Sequence, residues 1–167
     1  MSATTHRLLR HMAWTNQHVY DAVQALPDEA LGSFIVNPEW TAGHLLQHIV
    51  EGSDWYVYCL TGTPWREIKK PESMADLDKL KKLLAEFDGM ILAQADLPDE
   101  YLTIVEGEKS WQNLRSTILA EAIYHAIEHR TQLIDALEKN GYSAISLDTL
   151  DLWSFENYEK SETASHL

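Results

Sequence analysis

An all-α fold, a four-helix bundle with a short extra C-terminal helix, is what the sequence predicts. Three observations lead to it. Four long stretches carry apolar residues three or four positions apart, the spacing of one helix face. The segments between them are short and hold proline, glycine or asparagine, which break helices. The chain has 167 residues, a length that suits a single domain of antiparallel helices.

The first helix is expected from about Thr4 to Leu26, with Leu8, Met12, Val19, Ala22 and Leu26 on one stripe and Pro27 ending it. After the Asn37-Pro38 breaker, a second helix is expected from Thr41 to Leu60, with Leu45, His48, Ile49, Gly52, Trp55 and Tyr56 on one face. Thr61, Gly62 and Pro64 close it. A third should cover Met74 to Ala95, buried through Leu77, Leu80, Leu84, Phe87 and Ile91 and stopped by Pro98. Tyr101 to Ser110 reads as a connector, with Leu102 to Val105 as a short strand and Gly107 in a turn. A fourth helix is expected from Gln112 to Lys139, with Asn140-Gly141 as its cap. Its inward stripe reads Ile118, Ala122, His125, His129, Gln132 and Ala136. Leu147 to Tyr158 should form the short terminal helix. The domain is thus expected over residues 1–160, with Ser161 to Leu167 as a disordered tail.

Bulk chemistry narrows the function. The net charge of −13 repels phosphate backbones and anionic membranes, so neither nucleic acid nor a membrane is an expected partner. No apolar run approaches the roughly 20 residues of a spanning helix, and the first residues lack the apolar core of an export signal. The single cysteine, Cys59, can form neither an intrachain disulfide nor a thiolate metal site. A cytoplasmic location is expected from this.

The chemistry-bearing signal is His125-Ala-Ile-Glu-His129. Residues four apart on a helix lie one above the other, about 5–6 Å apart at Cβ, so two imidazoles there can converge on one metal ion. On spacing alone, a pair of ordinary packed histidines is an equal reading. A third ligand has to come from another helix. His48 is favoured over His44 because it falls in the middle of the apolar face of the second helix. His11 and His18 flank the stripe of the first helix as surface or rim residues, and His6 and His166 lie near the termini. Glu51, Tyr124 and Gln132 are weaker candidates for orienting a ligand, Arg130 reads as structural, and Cys59 is too far along the helix to reach the site.

Several segments together carry a resemblance. They are Leu8-Leu9-Arg10-His11-Met12-Ala13-Trp14-Thr15-Asn16, Trp40-Thr41-Ala42-Gly43-His44-Leu45-Leu46-Gln47-His48-Ile49 with Trp55 beyond it, His125-x-x-x-His129-Arg130-x-Gln132, and Leu150-Asp151-Leu152-Trp153. In this order and spacing the chain resembles the DinB/YfiT-like superfamily of metal-binding four-helix bundles. Thr131 stands where that family often has glycine. The resemblance implies a metal held by one histidine of the second helix and two of the fourth, which map onto His48, His125 and His129. It also implies a homodimer, an assembly that the aromatic content would suit.

Three neutral nitrogens leave a coordination position open, as catalytic sites do. Zinc or nickel suits such donors, with iron, manganese or cobalt as alternatives. The resemblance implies a thiol S-transferase or isomerase using a small thiol such as bacillithiol, mycothiol or glutathione. An anionic thiol would need local positive charge, for which Arg7, Arg10 and Arg130 are the candidates. The expectation therefore leans toward an enzyme with a small-molecule ligand, its catalytic residues unassigned. A metal-stabilised scaffold without activity is the alternative. A small metal-dependent hydrolase ranks lower. His125-Ala-Ile-Glu128-His129 matches the inverted zinc-peptidase motif, but only 38 residues follow His129 to supply the later glutamate ligand. A ferritin-like di-iron site fails, because no histidine has a glutamate three residues before it.

Overall fold

The structure is a computed structural model that describes residues 3–143 and 145–165. It is mostly helical, with one two-stranded sheet. The elements run α1 (Ala3–Gln24), α2 (Ala42–Thr61), α3 (Leu77–Ala93), β1 (Tyr101–Glu106), β2 (Lys109–Leu114), α4 (Arg115–Lys139) and α5 (Leu152–Ser165). Helices α1 and α2 each pack against both α3 and α4. The core between them takes Leu9, Met12 and Val19 from α1, Leu45 and Ile49 from α2, Leu84, Phe87 and Ile91 from α3, and Leu119 and Leu133 from α4. On α1 the inward face is rotated slightly from the expected stripe. Leu9 and Val23 are fully buried, while Leu8 and Ala22 stand at its edge.

Local chemistry explains the helix ends. Thr41 caps α2, its Oγ1 accepting from the His44 backbone N–H at 3.3 Å, which satisfies a donor that the first turn leaves open. Gly62, at φ +75°, ends the same helix in the left-handed region that glycine enters without strain. At the end of α4 the N–H of Tyr142 reaches the carbonyl of Leu137, and Gly141 turns the chain.

Three expected boundaries differ. Helix α4 begins at Arg115 rather than Gln112, because residues 109–114 pair antiparallel with residues 101–106, Ile104 opposite Trp111. The expected lone strand is thus a hairpin turned at Gly107. Its base is held by the buried Arg115, which donates to the Pro98 carbonyl, Gln94 Oε1 and Glu100 Oε1. Helix α3 is framed by short 3₁₀ turns at Met74–Asp76 and Gln94–Asp96. The terminal helix α5 continues through Ser165, so the segment expected as a tail is helical from Ser161 to there. His166 and Leu167 lie outside the described residues.

A polar network crosses the core. Asn16 Nδ2 donates to Asp88 Oδ2 at 2.9 Å, and Arg130 Nη1 donates to Asn16 Oδ1 at 2.6 Å and more loosely to the Met12 carbonyl. All three side chains are buried, which bears out the structural reading of Arg130. Burial pushes the Asp88 carboxyl up to about 7, against the opposing pull of Asn16 and Arg130. Its Oδ1 has no hydrogen-bond partner. A carboxyl whose folded pKa lies above its unfolded value of 3.8 contributes stability below that value, and the contribution is lost as pH rises to about 7. Urea unfolding of Asp88→Asn should therefore lack a fall in stability that wild type shows across this window. Parallel pH profiles for the two proteins would reject the assignment.

Candidate metal centre

Helices α2 and α4 face each other and bring three histidines together. His48, His125 and His129 each offer a ring nitrogen, and these atoms all lie within 4.8 Å of one another. Ring centroids are 5.0 Å apart for His48 and His125, 4.5 Å for His48 and His129, and 4.4 Å for His125 and His129. No fourth histidine, cysteine or carboxylate joins the group among the described residues. The three lie close enough to hold one metal ion.

The donor atoms suit a cation. Nε2 of His48 and Nε2 of His125 are 3.3 Å apart. Two lone pairs that converge so closely need a proton or a cation between them. Two nitrogens bound at the 2.0–2.1 Å typical of zinc, at the tetrahedral angle, would stand about 3.3 Å apart. Nδ1 of His129 is 2.9 Å from Oε1 of Gln132. A carbonyl oxygen only accepts, so His129 carries its proton on Nδ1 and leaves Nε2 free as a ligand atom. Nδ1 of His48 faces Glu51 at 3.9 Å, and Glu51 is itself held by Gln47 Nε2 at 2.8 Å.

Electrostatics favour the neutral form of His48 and His125. Burial, then repulsion from His129 and His48, lowers His125 to about 4. Burial, then His129 and His44, lowers His48 below the ordinary histidine value. Neutral imidazole is the form that ligates metal.

Gly52 makes this geometry possible. A Cβ at this position would sit 2.7 Å from both ring nitrogens of His125 and closer still to Cε1. The ring occupies the space that any other residue would fill. A glycine inside a helix costs about 0.5–1 kcal/mol relative to alanine, and that anomaly, four residues after His48, is the signal by which the sequence could have revealed its role. Trp40 also packs against these rings. Its ring stacks on His129 at 5.7 Å and 10°, and it also meets His48 and His44 at 5.2 and 4.9 Å.

The other candidates fall as follows. His44 neighbours His48, with ring centroids 6.2 Å apart, but is not in the ligand group. Tyr124 is largely exposed, and the tyrosine against His125 is Tyr56 instead, edge-on at 5.6 Å. Gln132 holds His129. Glu128 is exposed and lines a cavity beside His129 rather than joining the three rings. Cys59 is buried, its thiol pushed up to about 11 by burial. His11 contacts the Leu150 carbonyl at 2.7 Å and His18 the Trp14 carbonyl at 2.9 Å, both away from the three rings, and His6 pairs with Asp96. The arginines expected to attract an anionic thiol are engaged elsewhere. Arg7 and Arg10 pair with Glu159 on α5, and Arg130 is buried against Asn16.

A mostly helical protein with a cluster of three histidines across two of its helices is the class that fold and site define. The sequence profile of the DinB family matches residues 1–162, and the chain belongs to that family. No curated protein matches it. No helix is long and apolar enough to cross a membrane among the described residues.

Proposed function

We propose that the protein is a four-helix bundle that binds one divalent metal ion through His48, His125 and His129, and that it uses the ion to activate a small thiol for S-transfer. One observation carries the reading: three histidine ring nitrogens converge within 4.8 Å with no fourth ligand among the described residues. A structural zinc site is closed by four protein ligands, whereas three leave a position for a reactant. Zinc or nickel fits this donor set. When bound, such an ion acts as a Lewis acid that lowers the pKa of a thiol or water at its open position.

The chain's own residues do the rest. Gln132 fixes the tautomer of His129, Gly52 admits the His125 ring, and Trp40 covers one face of His129. In the transfer, the thiol loses its proton to solvent, its sulfur forms a bond to an electrophilic carbon, and the leaving group departs with its electron pair.

Two measurements test this. Elemental mass spectrometry of protein purified without a nickel column and soaked in zinc should give one ion per chain. His48→Ala and His125→Ala should lose it, and His44→Ala should keep it. The reverse result for His44 and His48 would move the ligand by one helical turn. A panel of small thiols with 1-chloro-2,4-dinitrobenzene should then show zinc-dependent transfer in wild type and none in His125→Ala. Equal rates in the two would remove the transferase reading and leave a metal-stabilised binding protein.

A further inference from the structure

Beside the three histidines, residues 33–41 form a wall facing α4. Lys139 donates to the Ile35 carbonyl and Asn140 Nδ2 to the Phe34 carbonyl, so the end of α4 holds this wall in place. Between wall and helix lies a cavity of about 420 Å³, within the range of small-molecule sites. Ile35, Val36, Trp40, Leu45 and Ala136 give it an apolar lining, and His129 opens onto it. Among the described residues Glu128 is the one carboxylate that lines it, and no Lys or Arg does.

Its two side-chain amides present donors. Oε1 of Gln132 is taken by His129, and Oδ1 of Asn37 accepts from the Glu39 backbone N–H at 3.0 Å. The amide NH₂ groups of both side chains have no partner among the described residues. They would suit a ligand with a lone acceptor oxygen. In the metal-free protein a ligand carboxylate or phosphate would meet Glu128 and lose its hydration with no Lys or Arg on the lining to replace it, which is costly.

We propose that this cavity is the ligand pocket of the histidine centre, and that it takes a small uncharged molecule with an apolar body and one acceptor such as a carbonyl. The proposal rests on the metal-centre reading for its link to catalysis, but the pocket is defined by the chain alone. It runs against anionic ligands, which the bare sequence left open.

The test uses acetophenone, 4-acetylbenzoate and ethylbenzene as probes. The first has body and acceptor, the second adds a carboxylate, and the third lacks the acceptor. Binding is followed by amide chemical shifts in zinc-loaded and in chelator-treated protein. In the chelator-treated protein acetophenone should bind at least about tenfold more tightly than either analogue, with shifts centred on Val36, Trp40 and Gln132. Val36 is 84% exposed, so Val36→Arg should fold normally. That variant should improve 4-acetylbenzoate binding at least about tenfold relative to acetophenone.

Equal affinities for acetophenone and 4-acetylbenzoate, no binding of acetophenone at millimolar concentration, or a Val36→Arg variant with unchanged preference would each overturn the proposal. Zinc uptake without the preference would sink the pocket and spare the metal centre. The preference without zinc uptake would do the opposite.

Discussion

Replacing Gly52 with alanine is expected to leave the helices folded and to strip the protein of its metal. The two effects have separate causes. Alanine is the better helix former by about 0.5–1 kcal/mol, so α2 itself gains. The new methyl, however, falls where the His125 ring lies. The ring is the free end of a side chain and can swing aside, but it then takes Nε2 away from His48. Losing only the partner of a metal-bound histidine typically costs about 10–100-fold in affinity, and displacing the ligand itself should cost more. Gly89→Ala, on α3 where a Cβ has open space around it, should gain stability and keep the metal. Thermal melts by circular dichroism and competition with a chromophoric zinc chelator separate the two readouts. A Gly52→Ala protein that holds zinc as tightly as wild type would show that His125 is not a ligand.

The second large effect concerns stability. Arg130→Met fills a similar volume but removes the only cation of the buried network. Asp88 then loses its counter-charge and Asn16 Oδ1 its donor. The two charges act through Asn16 rather than in direct contact, so the loss should reach at most the roughly 3–5 kcal/mol of a broken buried pair, read as a lower urea midpoint at about pH 8. The loss should shrink toward about pH 5, because Asp88, raised to about 7, is then protonated in the fold and no charge is left uncompensated. A loss below about 1 kcal/mol at both pH values would mean that Arg130 is held by packing alone.

Much of this architecture can be read from spacing. The 3.6-residue period of Leu77, Leu80, Leu84, Phe87 and Ile91 finds the buried face of α3 without help, since all five are buried. The same arithmetic puts His125 and His129 on one face of α4 and His48 on the apolar face of α2, while only the family resemblance joins the three into one ligand set. What spacing cannot show is set by contacts distant in sequence. Trp111-Gln112-Asn113 has no strong local preference and becomes a strand only because residues 101–106 lie beside it. Nor does any local pattern link Trp40 to His129, 89 residues on, or Gly52 to His125. The cavity is invisible for the same reason, because one wall is an irregular segment tied to the far end of α4.

Arg130 directly follows His129, and this adjacency sets the angular alignment of α4. A helix advances about 100° per residue, so a guanidinium clamped to Asn16 of α1 locks α4 against turning about its own axis. Its neighbour then points toward α2 at a set angle, and His125, one turn earlier, points with it. Without such a key, a smooth apolar helix could roll among nearly equivalent packings and sweep its imidazoles past their shared focus. The buried charge acts as an indexing pin, converting a greasy cylinder into a part that fits in one orientation.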